Sequence, residues 1–374
     1  MSKEDYMTAR IKSDEINKGA REFLKNLLEK KMVDALIVPL KLDTGRGAFP
    51  AFVTSMDYLE KAMPFVPLMP VNTATQVSKI TRMESSTKKI GVVMRPCEIR
   101  AYIELIKFNQ IEPENLVIIG TDCYGVIDSL EYKNLVDSGE NPDEIFLNNL
   151  KQGKEDYLRR ACKTCTNPVP NKYADIVMGY FGTGMDGNIL LISQTEKGEE
   201  ILKALEYQEE EIQGRDDEVK KLVEKRGAYW EDVKKKTFEE LNGIDNLLKF
   251  FDTCIDCHNC KDQCPICFCK ECFWESPVFE FRPPNYFEWA EKKGAFRLPT
   301  DTLFFHLGRL SHMSHSCVGC GMCEDACPKG IELQRLFYGV GEKTAAVFDY
   351  HPGMDLEEEP PLTTFREDEL QELG

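Results

Sequence analysis

Cys254-Ile-Asp-Cys257-His-Asn-Cys260-Lys-Asp-Gln-Cys264-Pro265 leaves two residues between its first three cysteines and three before the fourth, and closes on proline. Cys317-Val-Gly-Cys320-Gly-Met-Cys323-Glu-Asp-Ala-Cys327-Pro328 repeats that spacing unchanged. Two-residue gaps let one tight loop place three thiolates on three corners of an iron–sulfur cubane. The fourth cysteine is then expected on the helix that follows, with proline where a missing amide proton costs little. Zinc knuckles also pair cysteines, but rarely four in this register, twice, each run ending in proline. The chemistry of such loops is one-electron transfer.

In two-cluster ferredoxins the fourth cysteine of each motif ligates the other cluster. That rule assigns Cys254, Cys257, Cys260 and Cys327 to one [4Fe–4S] cluster and Cys317, Cys320, Cys323 and Cys264 to a second. The long segment between the motifs carries helix-forming stretches, Asn285–Lys293 and Leu303–Leu310, which predict a mostly helical ferredoxin-like domain with a widened middle. Three further cysteines, Cys267, Cys269 and Cys272, follow the first motif directly. They read as thiols packed beside the first cluster, with a fourth ligand drawn from this run left open.

Four cysteines lie far upstream. Cys97 follows an apolar run in Met94-Arg95-Pro96-Cys97, Cys123 follows the next in Gly120-Thr121-Asp122-Cys123, and Cys162-Lys-Thr-Cys165 supplies a close pair. Parallel strands would bring Cys97 and Cys123 to one sheet edge, where α/β proteins keep their sites. The count suits a third cubane; unrelated core thiols remain the plain alternative.

The elements that must position these residues are legible in outline. Apolar spacing predicts a helix over 15–31, a strand over Val33–Leu40, a helix over Thr75–Met83, a strand over Ile90–Met94, a helix over Ile99–Phe108 and a strand over Leu116–Ile119. Ala174–Met178 and Ile189–Ile192 read as two more strands. The fold expected is therefore α/β (or α+β) for residues 1–205, a charged helical connector over 206–250, a ferredoxin-like domain over 251–341 and an acidic tail over 342–374. With 47 Lys and Arg against 64 Asp and Glu, the 374-residue chain has a formal charge of −17, which disfavours nucleic acid and anionic membrane as partners. No apolar run is long enough to span a bilayer and Met1-Ser2-Lys3-Glu4-Asp5 lacks a signal-like segment, so a cytoplasmic protein is expected. Fifteen clustered cysteines in such a chain are more often metal ligands than disulfides.

The Pro-Cys after one strand, the Gly-x-x-Cys after the next, the Cys-x-x-Cys pair and Ala174-Asp175-Ile-Val-Met-Gly179 together resemble the β subunit of coenzyme F420-reducing hydrogenases and F420-dependent formate dehydrogenases. The similarity is nearest to the formate dehydrogenase β subunit, through the run Cys264-Pro-Ile-Cys267-Phe-Cys269-Lys-Glu-Cys272 and through Arg309-Leu-Ser-His-Met-Ser-His-Ser-Cys317. It covers roughly residues 15–340. The resemblance implies FAD beside a [4Fe–4S] cluster held by Cys97, Cys123, Cys162 and Cys165, coenzyme F420 as the soluble electron carrier, and a catalytic α subunit of formate dehydrogenase or hydrogenase as partner. Flavin suits the role, because it joins two-electron chemistry to one-electron carriers. Gly179, Gly182 and Gly184 form a Gly-rich loop after a strand whose amides could approach a pyrophosphate; Gly-rich loops are also common turns.

One departure stands out. The family opens its first helix on a Gly-Gly pair, whereas this chain has Asn17-Lys18-Gly19-Ala20. A second reading is therefore an electron-transfer adaptor without F420 activity, linking a dehydrogenase to heterodisulfide-reductase-like subunits. The five histidines, His258, His306, His312, His315 and His351, form no metal or triad pattern; His258, His312 and His315 lie in or before the cluster loops, where they could tune a potential.

Overall fold

The computed structural model describes residues 7–184, 186–361 and 363. The chain opens with β1 (Thr8–Ile11), α1 (Ile16–Glu29), β2 (Ala35–Lys41) and β3 (Ala48–Val53). It continues through α2 (Thr73–Thr81), β4 (Ile90–Met94), α3 (Pro96–Lys107) and β5 (Leu116–Thr121). Helices α4 (Ser129–Asp137), α5 (Pro142–Lys151) and α6 (Arg160–Lys163) precede β6 (Ile176–Gly179), β7 (Ile189–Ser193) and α7 (Glu196–Ala204). The rest is helical: α8 (Arg215–Glu240), α9 (Ile244–Phe250), α10 (Asn259–Asp262), α11 (Pro283–Lys293), α12 (Thr302–Met313), α13 (Met322–Asp325) and α14 (Leu333–Val347).

The seven strands form one mixed sheet in the order β1-β7-β6-β5-β4-β2-β3. Its centre, β2-β4-β5-β6, is parallel, and the flanking pairs are antiparallel. Alternate strand residues point to opposite faces. Leu36 and Val38 pack with Phe23, Leu24 and Leu27 of α1 on one side, while Ile37 packs with Val77 of α2 and Ile99 and Ile103 of α3 on the other. This is a mixed α/β architecture followed by a helical, cysteine-rich region, and among the described residues no strand follows β7. Strands β1 and β3 escaped the sequence reading: one is only four residues long and the other contains Pro50.

Cys97 lies in the first turn of α3, because Pro96 is pre-set for a helix start and Glu98 closes a capping box onto the Arg95 amide at 2.9 Å. The helical region packs back on the sheet. Val318 and the partly buried Cys320 and Phe268 join the core under α3. The acidic tail expected from residue 342 begins within α14, and the chain to residue 361 folds onto α3, with Tyr350 buried. Leu356, packed against the core under α3, and Tyr350, whose hydroxyl donates to the buried carboxylate of Glu104, hold it there. The rest of that tail and Met1–Asp5 lie outside the described residues. No helix of the described residues is long and apolar enough to cross a membrane.

Candidate functional site

The two cysteine loops share one backbone design. Asp256 and His258 in the first have φ of 56° and 57°, and the matching Gly319 and Gly321 in the second have 69° and 72°. These left-handed residues flank Cys257 and Cys320 and turn the chain directly into α10 and α13, whose N-caps are His258 and Gly321. Cys260 and Cys323 sit in those short helices. Cys264 and Cys327, expected on a helix, instead follow one, because the residue before proline is pushed out of the helical region.

Cys254, Cys257 and Cys260 of the first motif and Cys327 of the second line one small cavity of about 20 Å³. The spacing rule assigns these four to one cubane. Cys264 lies in one apolar core with Cys317 and Cys323, and that core also holds Cys254, Cys260 and Cys327. Burial pushes the Cys323 thiol far up, with Cys317 and Cys320 adding and Arg309 opposing. Cys267 is the unassigned thiol nearest this group: a hydrogen bond with Cys264, then burial, raises it strongly. Cys269 is exposed and Cys272 half-buried.

The third group also converges. Burial pushes Cys123 up to about 12, with Cys162 and Cys165 adding and Arg95 opposing. Cys97 is raised by burial and then by the neighbouring charges of Glu98, Cys320, Cys123 and Cys165. Cys97, Cys162 and Cys320 pack around Met69, Val126 and Met322, so this group abuts the second cysteine loop. Gly321 makes the contact feasible: its φ is positive, and a Cβ there would meet the Ala161 methyl of α6 at 2.4 Å.

Backbone amides aim at the sulfurs. Asp256 N donates to Cys254 Sγ at 3.4 Å and Val126 N to Cys162 Sγ at 3.4 Å, while the amides of Gly125, Gly319 and Met322 lower Cys123, Cys317 and Cys320. Such donors stabilise thiolates, the form that binds metal. Among the described residues no three His, Cys, Asp or Glu side chains converge on a single-ion site; the cysteine groups are looser than that.

Buried arginines stand at each junction. Arg95 is held by the carbonyls of Val66 and Leu68 at 2.7 and 3.0 Å, beside Cys97 and Cys123. Arg159, 2 % exposed, reaches Asp325 at 2.8 Å and lowers both Cys162 and Cys320. Arg309, also 2 % exposed, donates to Cys260 Sγ at 3.0 Å. One turn earlier on α12, His306 stacks on Phe251 with its Nε2 3.4 Å from Cys254 Sγ; burial, then the Arg309 charge, lowers its pKa to about 3. The sequence reading missed His306, Arg95 and Arg159 as sulfur neighbours. The histidine-to-arginine spacing of three on an amphipathic helix was the available signal.

The Gly-rich loop lies at the other end of the third group. A Cβ at Gly179 would meet Arg215, and one at Gly182 the backbone of Gln213 and Arg215. Arg215 pairs with the fully buried Asp122, which accepts the amides of Tyr180 and Phe181 at 2.9 and 3.1 Å. Glu218 accepts the Gly182 amide at 2.6 Å and the Tyr124 hydroxyl. Gly184 faces open space. A cleft of about 900 Å³ runs past the start of α1, lined by Asn17, Arg21, Lys41, Lys61, Asp143 and Gly187 among others. It adjoins a narrow apolar slot bounded by Phe65, Tyr124 and Tyr180. Tyr124 and Tyr180 stack at 5.4 Å, and Tyr124 directly follows Cys123. Cleft, aromatic slot and cysteine group are thus contiguous.

The sequence model for the C-terminal region of the coenzyme F420 hydrogenase/dehydrogenase beta subunit family matches residues 87–218, which hold Cys97, Cys123, Cys162, Cys165 and the Gly-rich loop. The F420-dependent formate dehydrogenase 1 subunit beta of Methanococcus maripaludis is 30% identical over 384 aligned residues, covering 94% of this chain and 94% of that protein. The F420-dependent formate dehydrogenase subunit beta of Methanocaldococcus jannaschii is 29% identical, covering 90% and 92%. Among solved structures, a chain of the F420-reducing [NiFe] hydrogenase complex from Methanosarcina barkeri matches 64% of this chain and 93% of its own length, with 19% identity and a TM-score of 0.47. The family match and the formate dehydrogenase relatives show the chain to be an oxidoreductase subunit. It belongs to the coenzyme F420 hydrogenase/dehydrogenase β-subunit family.

Proposed function

We propose that this chain relays electrons between a flavin site in the α/β region and a catalytic partner subunit, through three [4Fe–4S] clusters held by the three cysteine groups. The observation that carries the reading is the shared cavity of Cys254, Cys257, Cys260 and Cys327: cysteines from two motifs far apart in sequence line one space, as crossed cubane ligation requires. The donor set fits as well. On this reading twelve cysteines divide into three groups of four, supported by amides directed at several of their sulfurs and by Arg95, Arg159 and Arg309 buried beside them. The domain limits at residues 205, 250 and 341 belong to the same reading.

When bound, flavin would exchange electrons in pairs with a soluble carrier and singly with clusters, which carry one electron at a time. Phe65, Tyr124 and Tyr180 would form the apolar slot that excludes water beside Cys123, and Gly179, Gly182 and Gly184 the turn behind it. Arg95 and Arg159 place positive charge on either side of the Cys97 group. The exposed Cys257 puts the far end of the relay at the surface, where the catalytic α subunit of a formate dehydrogenase or a hydrogenase would dock.

Coenzyme F420, named in the relatives, is the carrier proposed for the cleft. The adaptor reading, with heterodisulfide-reductase-like partners, draws on the segment Asn17-Lys18-Gly19-Ala20 that stands in place of the family's Gly-Gly pair: the Asn17 Oδ1 accepts the Phe65 amide at 3.0 Å, so this side chain stands where cleft and slot meet. The test is anaerobic purification of the full chain followed by iron, acid-labile sulfide and flavin analysis, then oxidation of reduced F420 with viologen as acceptor. About twelve irons per chain and bound flavin are expected. About eight irons would remove the Cys97 cluster, and flavin without F420 oxidation would leave the adaptor.

A further inference from the structure

Arg309 is a buried cation with no carboxylate to balance it. Arg95 has Glu98 at 3.5 Å and Arg159 has Asp325 at 2.8 Å. Among the described residues Arg309 makes no ion pair. Its Nη1 donates to Cys260 Sγ at 3.0 Å, its Nη2 to the Cys260 carbonyl at 3.1 Å, and its Nε has no partner. The guanidinium lies over the Phe337 ring at 4.7 Å and the Phe305 ring at 5.7 Å. Burying an unpaired charge this way is unfavourable unless an anion completes the site. The cysteine group it touches is the anion available.

We propose that Arg309 sets the reduction potential of the cluster held by Cys254, Cys257, Cys260 and Cys327 above that of its neighbour, making it the electron sink of the pair. This rests on the cluster reading above. Reduction adds negative charge to a cluster, so a fixed positive charge and a hydrogen bond donated to a ligand sulfur both favour the reduced state and raise the potential. The first group receives that donor and also the His306 ring at Cys254. The Arg309 charge also reaches Cys317 and Cys323, and the Arg159 charge reaches Cys320. The hydrogen bonds to Cys317 and Cys320 among the described residues come from backbone amides, so the donated side-chain bond is what sets the first group apart. Asp256 opposes the effect, but its carboxylate lies 3.3 Å from His258 Nε2. The higher potential then falls on the cluster with the exposed ligand, Cys257, so electrons from the α/β side run outward.

The experiment is an EPR-monitored redox titration of the full chain, purified anaerobically, as wild type and as Arg309→Met, Arg309→Gln and Arg309→Lys, with iron and sulfide measured on each. Cys257→Ser marks the signal of the first cluster. In the Met and Gln variants that signal's midpoint should fall, raising its oxidised-to-reduced ratio at fixed potential at least tenfold, about 59 mV for one electron. The Lys variant, which keeps the charge, should recover most of the shift. If Met loses iron, Gln, which keeps a donor, carries the measurement. Unchanged midpoints at full iron content, a shift in a signal other than the one Cys257→Ser marks, or iron loss in both neutral variants would overturn the proposal. A wild-type chain without iron would instead sink the cluster reading itself.

Discussion

Asp256 and Gly319 hold the same left-handed backbone, φ 56° and 69°, at the same place in two loops that share only Asp262 and Asp325 between the cysteines. Loop geometry is therefore dictated by the cysteine spacing, and the side chains adapt to it. A left-handed conformation costs most L residues about 1–2 kcal/mol, with Asp among the more tolerant. Asp256→Gly is expected to keep its iron and to lie within about 1 kcal/mol of wild type. Gly319→Val should lose iron from one cluster, because a Cβ there would press on the Tyr338 ring at 3.0 Å in a backbone that β-branched residues avoid. Iron content and urea midpoints of the two variants check the contrast.

Cys264 and Cys267 are hydrogen-bonded neighbours, yet the crossed pairing gives only Cys264 a cluster to ligate. Cys264→Ser should lower the iron content by roughly four atoms per chain, whereas Cys267→Ser should retain it. If the outcomes are reversed, the fourth ligand comes from the run after the motif. Full iron in both single variants, with loss only in the double variant, would show that either thiol serves.

The central strands, the helices α1 to α3 and the approach of Cys327 to the first motif were legible because each rests on a local rule: apolar period or fixed spacing. Helix α8 shows where such rules stop. Its segment reads as a solvated connector, since few of its residues are apolar, yet Arg226, Trp230 and Thr237 are buried. The largest of these contacts is made by a charged residue whose partners lie far off in sequence: Arg226 donates to the Tyr124 carbonyl at 2.6 Å and to Glu155 at 2.8 Å. Apolar patterning carries no information about a face that packs through ion pairs. His306 escaped for a similar reason, because its role comes from the fold of α12 against Phe251 and not from any spacing to a cysteine.

Arg215 and Asp122 make the clearest test of that charged face. Removing the arginine alone strands a fully buried carboxylate, which typically costs about 3–5 kcal/mol. Two backbone amides still serve Asp122, so Arg215→Ala should fall at the lower end, about 3 kcal/mol. Bound flavin should be lost with it, since Arg215 packs on Gly179 and Gly182. The double substitution Asp122→Asn with Arg215→Met should recover much of the stability, because a buried pair replaced as a unit costs far less than one broken. Urea midpoints and flavin absorbance, read together, separate the two effects.

Glu104 is fully buried on α3 and draws its partners from the end of the chain. Its carboxylate accepts the Tyr350 hydroxyl at 2.6 and 2.7 Å and the Gly353 amide at 2.7 Å, with Lys107 Nζ at 2.8 Å. Arg100, on the same helix, donates to the Pro352 carbonyl at 3.0 Å and to the Val318 carbonyl, inside the second cysteine loop, at 3.1 Å. The strap after α14 thus bears on the α/β layer and the cluster loop at once. Tyr350→Phe removes a hydrogen bond to a charged group and should cost about 1.5–3 kcal/mol. Truncation after Val347 removes the Gly353 donor and the Pro352 acceptor as well, and leaves Glu104 with Lys107 alone. That variant should be less stable than Tyr350→Phe and should release iron faster from the second-motif cluster on exposure to a chelator. Equal iron-release rates for the truncated and full chains would show that the strap stabilises the sheet without bracing the loop.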